Sequence, residues 1–221
     1  MTKIKCKNYN CPKCHKDSEF KMYETVNVDL DNSLREKLLS REFFNWECPH
    51  CGVKLIVQYD FLYHDMSNKF MIYFSLNNCN ETNTYINDML KKYPGMRKSR
   101  YRTVDNYIQL IEKIQIFESG LDDIIVELIK VLIKYKEENQ FSEETNLVFE
   151  RLIANKETNK EDMLVFRSIK EEKFQKGVIL FGMDGYNQYK QKADEEGKFK
   201  MTTFCDNINE DWILDRFEDP K

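Results

Sequence analysis

The chain of 221 residues is short of the residue types that most often carry chemistry. It has three histidines (His15, His50, His64), seven glycines and four prolines. So few histidines leave few candidates for proton transfer near neutral pH. The glycines nowhere gather into a phosphate loop or a dinucleotide fingerprint, and no nucleophile elbow is present. No apolar run approaches the ~20 residues of a membrane span, so no membrane role is expected. No apolar signal segment follows Met1, and the expected setting is a reducing cytoplasm where disulfides are rare. Internal repeats are absent as well.

What the chain does have is paired cysteine. Cys11-Pro12-Lys13-Cys14 and Cys48-Pro49-His50-Cys51-Gly52 are two knuckles of one design. Four thiols in two C-x-x-C pairs suit a tetrahedral zinc ion. A thioredoxin-like dithiol would need one pair and a βαβ setting. Four thiolates close the zinc shell and leave no position for water, so the expected zinc is structural rather than catalytic. Pro12 and Pro49 pre-set the turn, and Gly52 offers the positive φ that lets backbone N–H groups face sulfur. His15 stands where Gly52 stands, and a side chain there costs about 1 kcal/mol, so the first knuckle is expected to be the looser. Replacement of a cysteine ligand by His15 or His50 is disfavoured. Cys6, Cys79 and Cys205 are unpaired and read as buried or idle thiols.

The 33 residues between the pairs exceed a compact ribbon's loop and need structure of their own. Phe20, Met22, Val26, Val28 and Leu30 alternate with polar residues, which predicts a strand with Glu24 as the one polar break inside. Ser33 to Glu36 reads as a capping box opening a helix with Leu34, Leu38 and Leu39 inward. Phe44, Trp46 and Cys48 alternate into the second knuckle. Val53, Leu55, Val57, Tyr59, Phe61 and Tyr63 give one more alternating run, and 70–76 a buried strand.

These features together resemble the bacterial and archaeal CpXC domain family: both CPxC knuckles, the strand 23–29, the helix 34–39 and the run Phe61-Leu62-Tyr63-His64-Asp65. The resemblance covers about residues 6 to 80, and 116–123 is similar to a segment that follows this domain in some members. It implies a zinc site at Cys11, Cys14, Cys48 and Cys51 and nothing catalytic.

Charge is uneven. Residues 1–102 carry 17 Lys/Arg against 12 Asp/Glu, and residues 103–221 carry 17 against 26. An acidic whole argues against tight nonspecific nucleic-acid binding. Yet 91–102 holds six cations (Lys91, Lys92, Arg97, Lys98, Arg100, Arg102) with Tyr93 and Tyr101 among them. This is either a phosphate-contacting patch or a solvated linker, and the linker is favoured. The expected organisation is a domain at 1–80, a basic, Asn-rich linker at 81–102 containing a weak helix that ends at Pro94-Gly95, and a helix-led domain at 103–221.

In the last segment Val104, Tyr107, Ile108, Ile111 and Ile114 follow helical spacing, and Ser119-Gly120 ends that helix. A second helix opens at Asp122 and Asp123, which read as helix N-terminal stabilisers rather than an acid–base pair, and it carries a broad apolar face. Residues 147–153 and 162–169 read as a hairpin around Lys156 to Lys160, with a third strand at 177–182. A helix at 186–196 ends at Gly197, and Asp206 is expected to cap a final helix bearing Trp212, Ile213 and Leu214. The fold class is therefore α+β: a zinc-ribbon-like antiparallel β domain with an inserted helix, then a mixed α+β domain. The expected role is a structural four-cysteine zinc site supporting a protein-interaction module, with nucleic-acid binding through 91–102 as the alternative. His64 beside Asp65 is the one pair suited to acid–base work, but neighbours on a strand face opposite ways.

Overall fold

A computed structural model of the chain describes residues 2–136, 145–155, 161–170, 173–175 and 177–218. The chain is mixed α+β with six helices among the described residues. It divides into two units: residues 1–111 with 204–206, and residues 112–203 with 207–221.

The first unit is built on a six-stranded mixed sheet. Its members are β1 (Lys3–Asn10), β2 (Asp17–Asn27), β5 (Phe61–Asp65), β6 (Phe70–Phe74), β7 (Arg100–Val104) and β12 (Cys205–Asp206), in the order β1-β2-β5-β6-β7-β12. β1–β2 and β5–β6 are antiparallel pairs; β2–β5, β6–β7 and β7–β12 are parallel. Between β2 and β5 lie helix α1 (Asn32–Leu39), a 3-10 turn at Glu42–Phe44, and a separate two-stranded hairpin of β3 (Asn45–Glu47) and β4 (Lys54–Ile56). Helix α2 (Cys79–Lys92) connects β6 to β7, as a parallel pair requires.

Phe20, Val26 and Val28 are buried as the alternation predicts, and Glu24 sits in an ion-pair cluster with Lys3 and Lys5. Leu30 is instead exposed. The strand stops at Asn27, whose side-chain oxygen accepts the N–H of Asp29 (3.1 Å) and turns the chain. Asp31, not Ser33, caps α1, taking the Ser33 N–H at 3.0 Å. The alternating run 53–63 is two strands in two different sheets, because 57–60 leaves strand geometry between them. An aromatic core follows from this pattern: Phe44, Phe61 and Phe74 meet at centroid separations of 5.6–6.0 Å, with Tyr59 against Phe20, Phe43 and Phe44.

The segment 81–102 is not a linker. It forms α2, a 3-10 turn at Pro94–Lys98, and β7, which pairs with β6 along its whole length from Phe70↔Arg100 to Phe74↔Val104. The boundary lies further on, between residues 111 and 112, inside helix α3 (Tyr107–Glu118). Of the asparagines that read as a linker signal, Asn77, Asn78 and Asn80 are exposed, but Asn83, with Asn87 one turn further along α2, is a buried hydrogen-bonding group. Asn87 donates to the carbonyls of Asn83 (2.9 Å) and Cys205 (2.8 Å) and accepts from the N–H groups of Phe204 (2.8 Å) and Cys205 (3.0 Å). Asn83 accepts from the Thr103 hydroxyl (2.8 Å) and donates to Asp206 (3.4 Å). Asp206 thus closes the sheet edge instead of capping a helix; the last helix, α6 (Glu210–Glu218), is capped by Asn209.

The second unit holds the end of α3 with helices α4 (Asp123–Lys136), α5 (Met183–Glu196) and α6. Its sheet is centred on β9 (Met163–Lys170). β8 (Asn146–Ile153) pairs antiparallel along one side of β9, and β10 (Lys173–Phe174) and β11 (Ile179–Gly182) pair along the other. The expected hairpin tip at 156–160 lies outside the described residues. Gly197 ends α5 at φ +67°, its N–H bonded to the Ala193 carbonyl. Among the described residues no helix is long and apolar enough to cross a membrane.

An ion-pair ladder runs through this unit. Asp123 meets Lys113 (3.2 Å), Lys113 meets Glu127 (3.1 Å), Glu127 meets Lys130 (2.9 Å), and Lys130 meets Glu112 (2.9 Å), which also accepts the Phe149 N–H at 2.6 Å. All five charged side chains are buried. Burial raises the Glu112 carboxyl despite its lysines, while in Glu127 the flanking Lys130 and Lys113 outweigh burial and lower it. Asp122 supplies the expected helix-start contact, accepting the Ile124 N–H at 3.0 Å, whereas Asp123 belongs to the ladder.

Two outcomes follow. Lys113→Met leaves two buried carboxylates short of a partner and should lower urea-unfolding stability by about 3–5 kcal/mol. Asp29 accepts the Ser67 hydroxyl and the N–H groups of Met66 (2.6 Å) and Ser67 (3.1 Å), and these, led by the hydroxyl, depress its pKa against burial. Its contribution is therefore complete above the unfolded carboxyl value of about 3.9 and is lost as pH falls through the lower folded value. Asp29→Asn should reduce stability at pH 7 and flatten the acid limb of a stability–pH curve measured below about pH 4.

Candidate metal centre

Each cysteine pair sits at the tip of an antiparallel hairpin: Cys11 and Cys14 between β1 and β2, Cys48 and Cys51 between β3 and β4. The two tips turn in the same way. The His15 N–H bonds the Cys11 carbonyl (2.8 Å) and the Cys11 N–H bonds the Lys16 carbonyl (3.1 Å). In the second tip, Gly52 N–H to Cys48 carbonyl (2.9 Å) and Cys48 N–H to Val53 carbonyl (2.9 Å) repeat the pattern. The residue after each pair is left-handed, φ +56° for His15 and +68° for Gly52. Asn10 braces the strained first tip, its amide donating to the His15 carbonyl (3.1 Å) and to Asp17 (2.8 Å).

The tips bring the four sulfurs together, all within 4.8 Å of one another. Cys11 faces Cys51 and Cys14 faces Cys48, each at 3.7 Å. A tetrahedron of sulfurs about 2.3 Å from a shared centre has edges of about 3.8 Å. A disulfide would need sulfurs about 2.05 Å apart, and all four cysteines are free. The donor set fits a soft tetrahedral metal ion. The first cysteine of each pair is buried and the second half-buried.

Electrostatics favour losing the first proton at Cys11. Burial pushes this thiol up, but the N–H groups of Cys14 and Lys13, with the thiols of Cys48 and Cys14, outweigh it and hold it at about 6. At Cys51 the Val53 N–H lowers the value, while burial and the other three thiols push it up to about 11. The opposed shifts are those of one coupled group of thiols in close contact.

Tyr9 and Trp46, each two residues before the first cysteine of its pair, meet edge to face at 4.8 Å. They join the two hairpins behind the sulfurs. The His50 ring Nε2 donates to the Asp17 carbonyl (3.2 Å), a second tie between the tips. Sequence reasoning misses both contacts, although the repeated aromatic-x-Cys-Pro pattern, Tyr9-Asn10-Cys11-Pro12 and Trp46-Glu47-Cys48-Pro49, carries the signal for the first.

His15 and His50 are not among the clustered ligand groups, and neither is His64. His64 lies on β5 opposite Met71, and burial lowers its pKa. Asp65 caps the following turn, taking the Asn68 N–H and side-chain amide at 2.8 Å each. The basic segment is divided: Tyr101 and Arg102 are buried, and Lys91–Lys98 is exposed. Cys205 is buried, which raises its thiol to about 12, and Cys79 donates to the Ser75 carbonyl.

Two hairpin tips converging four cysteine sulfurs on one point define a protein with a four-cysteine cluster able to hold a metal ion. The family model described as CpXC protein matches residues 9–130, and the chain belongs to that family. The match begins at Tyr9, takes in both knuckles and continues through most of α4. No curated protein and no solved structure matches the chain.

The conformations of His15 and Gly52 set opposite expectations for the two tips. Gly52→Ala should destabilise the metal-loaded protein by about 1 kcal/mol. His15→Gly should leave it equal or more stable, by up to about 1 kcal/mol. Thermal melts at saturating metal check both.

Proposed function

We propose that Cys11, Cys14, Cys48 and Cys51 hold one structural Zn²⁺ in a zinc-ribbon-like fold, and that the domain so held is a binding module for a protein partner. The observation that carries the reading is the convergence of the four sulfurs, with facing pairs at 3.7 Å. Thiolate-only ligation favours zinc among common divalent ions, and four thiolates fill its tetrahedral shell. When bound, the ion supplies a cross-link between two hairpin tips and screens their negative charge.

The chain's own residues prepare that link. The Cys14 and Lys13 N–H groups face the Cys11 sulfur, and the Val53 N–H faces the Cys51 sulfur. Tyr9 and Trp46 hold the hairpins at the right separation. Thiols kept free for a metal belong in a reducing compartment, which supports a cytoplasmic setting.

Protein purified without added metal should contain one zinc per chain by elemental analysis. Cys48→Ser should lose it and melt at lower temperature. Strong chelation should abolish the cooperative unfolding of the first unit, and capture of a protein partner from native extract should require the metal-loaded form. A chain that folds with no stoichiometric metal would overturn the reading.

A further inference from the structure

We propose that the C-terminal end of α2, the following 3-10 turn and Phe204 form a docking platform for single-stranded nucleic acid. The inference goes beyond the protein-binding reading and assigns a second class of partner to one surface.

All eight residues Lys91–Lys98 are exposed. They include four cations (Lys91, Lys92, Arg97, Lys98) and no carboxylate. Exposed rings stand among them: Tyr85 is 69% exposed, Tyr93 51% and Phe204 38%. Tyr85 lies seven residues before Lys92 and so shares its helix stripe. Phe204 comes from far along the chain, and no local pattern places it here. The Asn87 side chain fixes its N–H at 2.8 Å, and the Arg97 guanidinium lies 4.2 Å from its ring centroid. The Lys92 ammonium lies 5.4 Å from the Tyr93 ring.

Arg97 is held flat by its own bonds, Nε to the Leu90 carbonyl (2.8 Å) and a second nitrogen to the Lys91 carbonyl (3.4 Å). It therefore offers a fixed planar cation stacked on an aromatic ring. Asp88, the carboxylate in the same helix turn, is paired with Lys91 at 3.0 Å. Lys92 and Lys98 stay exposed on the same segment as the open rings.

A basic membrane face or an acidic protein would also meet these cations, with Met96 exposed among them, and the test below separates those two occupants. Cations alternating with exposed, stackable rings fit a strand whose phosphates and bases both need partners. Sequence preference is expected to be weak, since stacking accepts any base.

The test uses the full, metal-loaded chain and a fluorescein-labelled thymidine 12-mer, read by anisotropy at low salt. Saturable binding that weakens with a log–log salt slope near about −0.7 per phosphate contact is expected. Tyr93→Ser should weaken it by roughly 5- to 160-fold, in line with the loss of one stacked base. Lys92→Gln with Lys98→Gln should reduce the salt slope by about 1.4. Both sites are exposed, so melting temperature and metal content should stay unchanged.

No binding at low salt overturns the proposal. So does binding indifferent to Tyr93→Ser and equally competed by polyglutamate, which would mark a patch for acidic protein. Binding of phosphatidylserine vesicles without the 12-mer would overturn it in favour of a membrane surface. In each of these cases, unaltered metal content with recovery of a protein partner would leave the binding-module reading standing.

Discussion

The first unit depends on one geometric constraint: two hairpin tips, 33 residues apart in sequence, must present four sulfurs to a single point. β1–β2 lies at the edge of the six-stranded sheet, and β3–β4 is a hairpin outside that sheet. Two of the contacts that join them lie close to the sulfurs: the Tyr9–Trp46 pair and the His50–Asp17 bond. β1 contributes little burial of its own, since seven of its eight residues are exposed. A cross-link at this place would stabilise most where the hydrophobic core reaches least.

The second unit is organised by a different interaction. Its central helix could have been apolar throughout, yet Asp123, Glu127, Lys130 and Lys134 recur at spacings of four, three and four along one stripe. The first three belong to the ladder with Glu112 and Lys113, and Lys134 pairs with Glu210 on α6 at 2.6 Å. Buried ion pairs add little net stability over apolar packing, but they fix register, because sliding α3 past α4 by a turn separates the Lys113–Asp123, Lys113–Glu127 and Lys130–Glu112 pairs. Three carboxylates share two ammonium groups there, so each lysine is engaged on two sides.

The knuckles were legible because their chemistry is local: Cys, Pro and a left-handed position within five residues state the turn and the ligand together. The period-two runs around Phe20 and Phe44 and the continuous apolar run from Phe70 were legible for the same reason. What the sequence hid was non-local. Asn83 and Asn87 look like loop residues, and only the return of 204–206 completes the hydrogen bonding of their amides. The run 53–63 keeps its alternation while crossing from one sheet to another, so periodicity alone cannot find the break. The charged stripe of α4 is hidden in the sequence because Ile124, Leu128 and Leu132 already satisfy a helical pattern without it.

Residues 204–206 carry a topological consequence. The chain leaves the first unit at 111 and comes back to it for three residues, which add β12 beside β7. In connectivity, residues 112–203 are inserted between β7 and β12 of the first unit, and residues 207–221 return to the second. A cut at residue 111 would therefore strip the edge from β7 and take away the Phe204 and Cys205 groups that the Asn87 amide holds. Any autonomous version of the four-cysteine unit has to be spliced rather than shortened, with a short bridge delivering Phe204, Cys205 and Asp206 back to the asparagines that hold them.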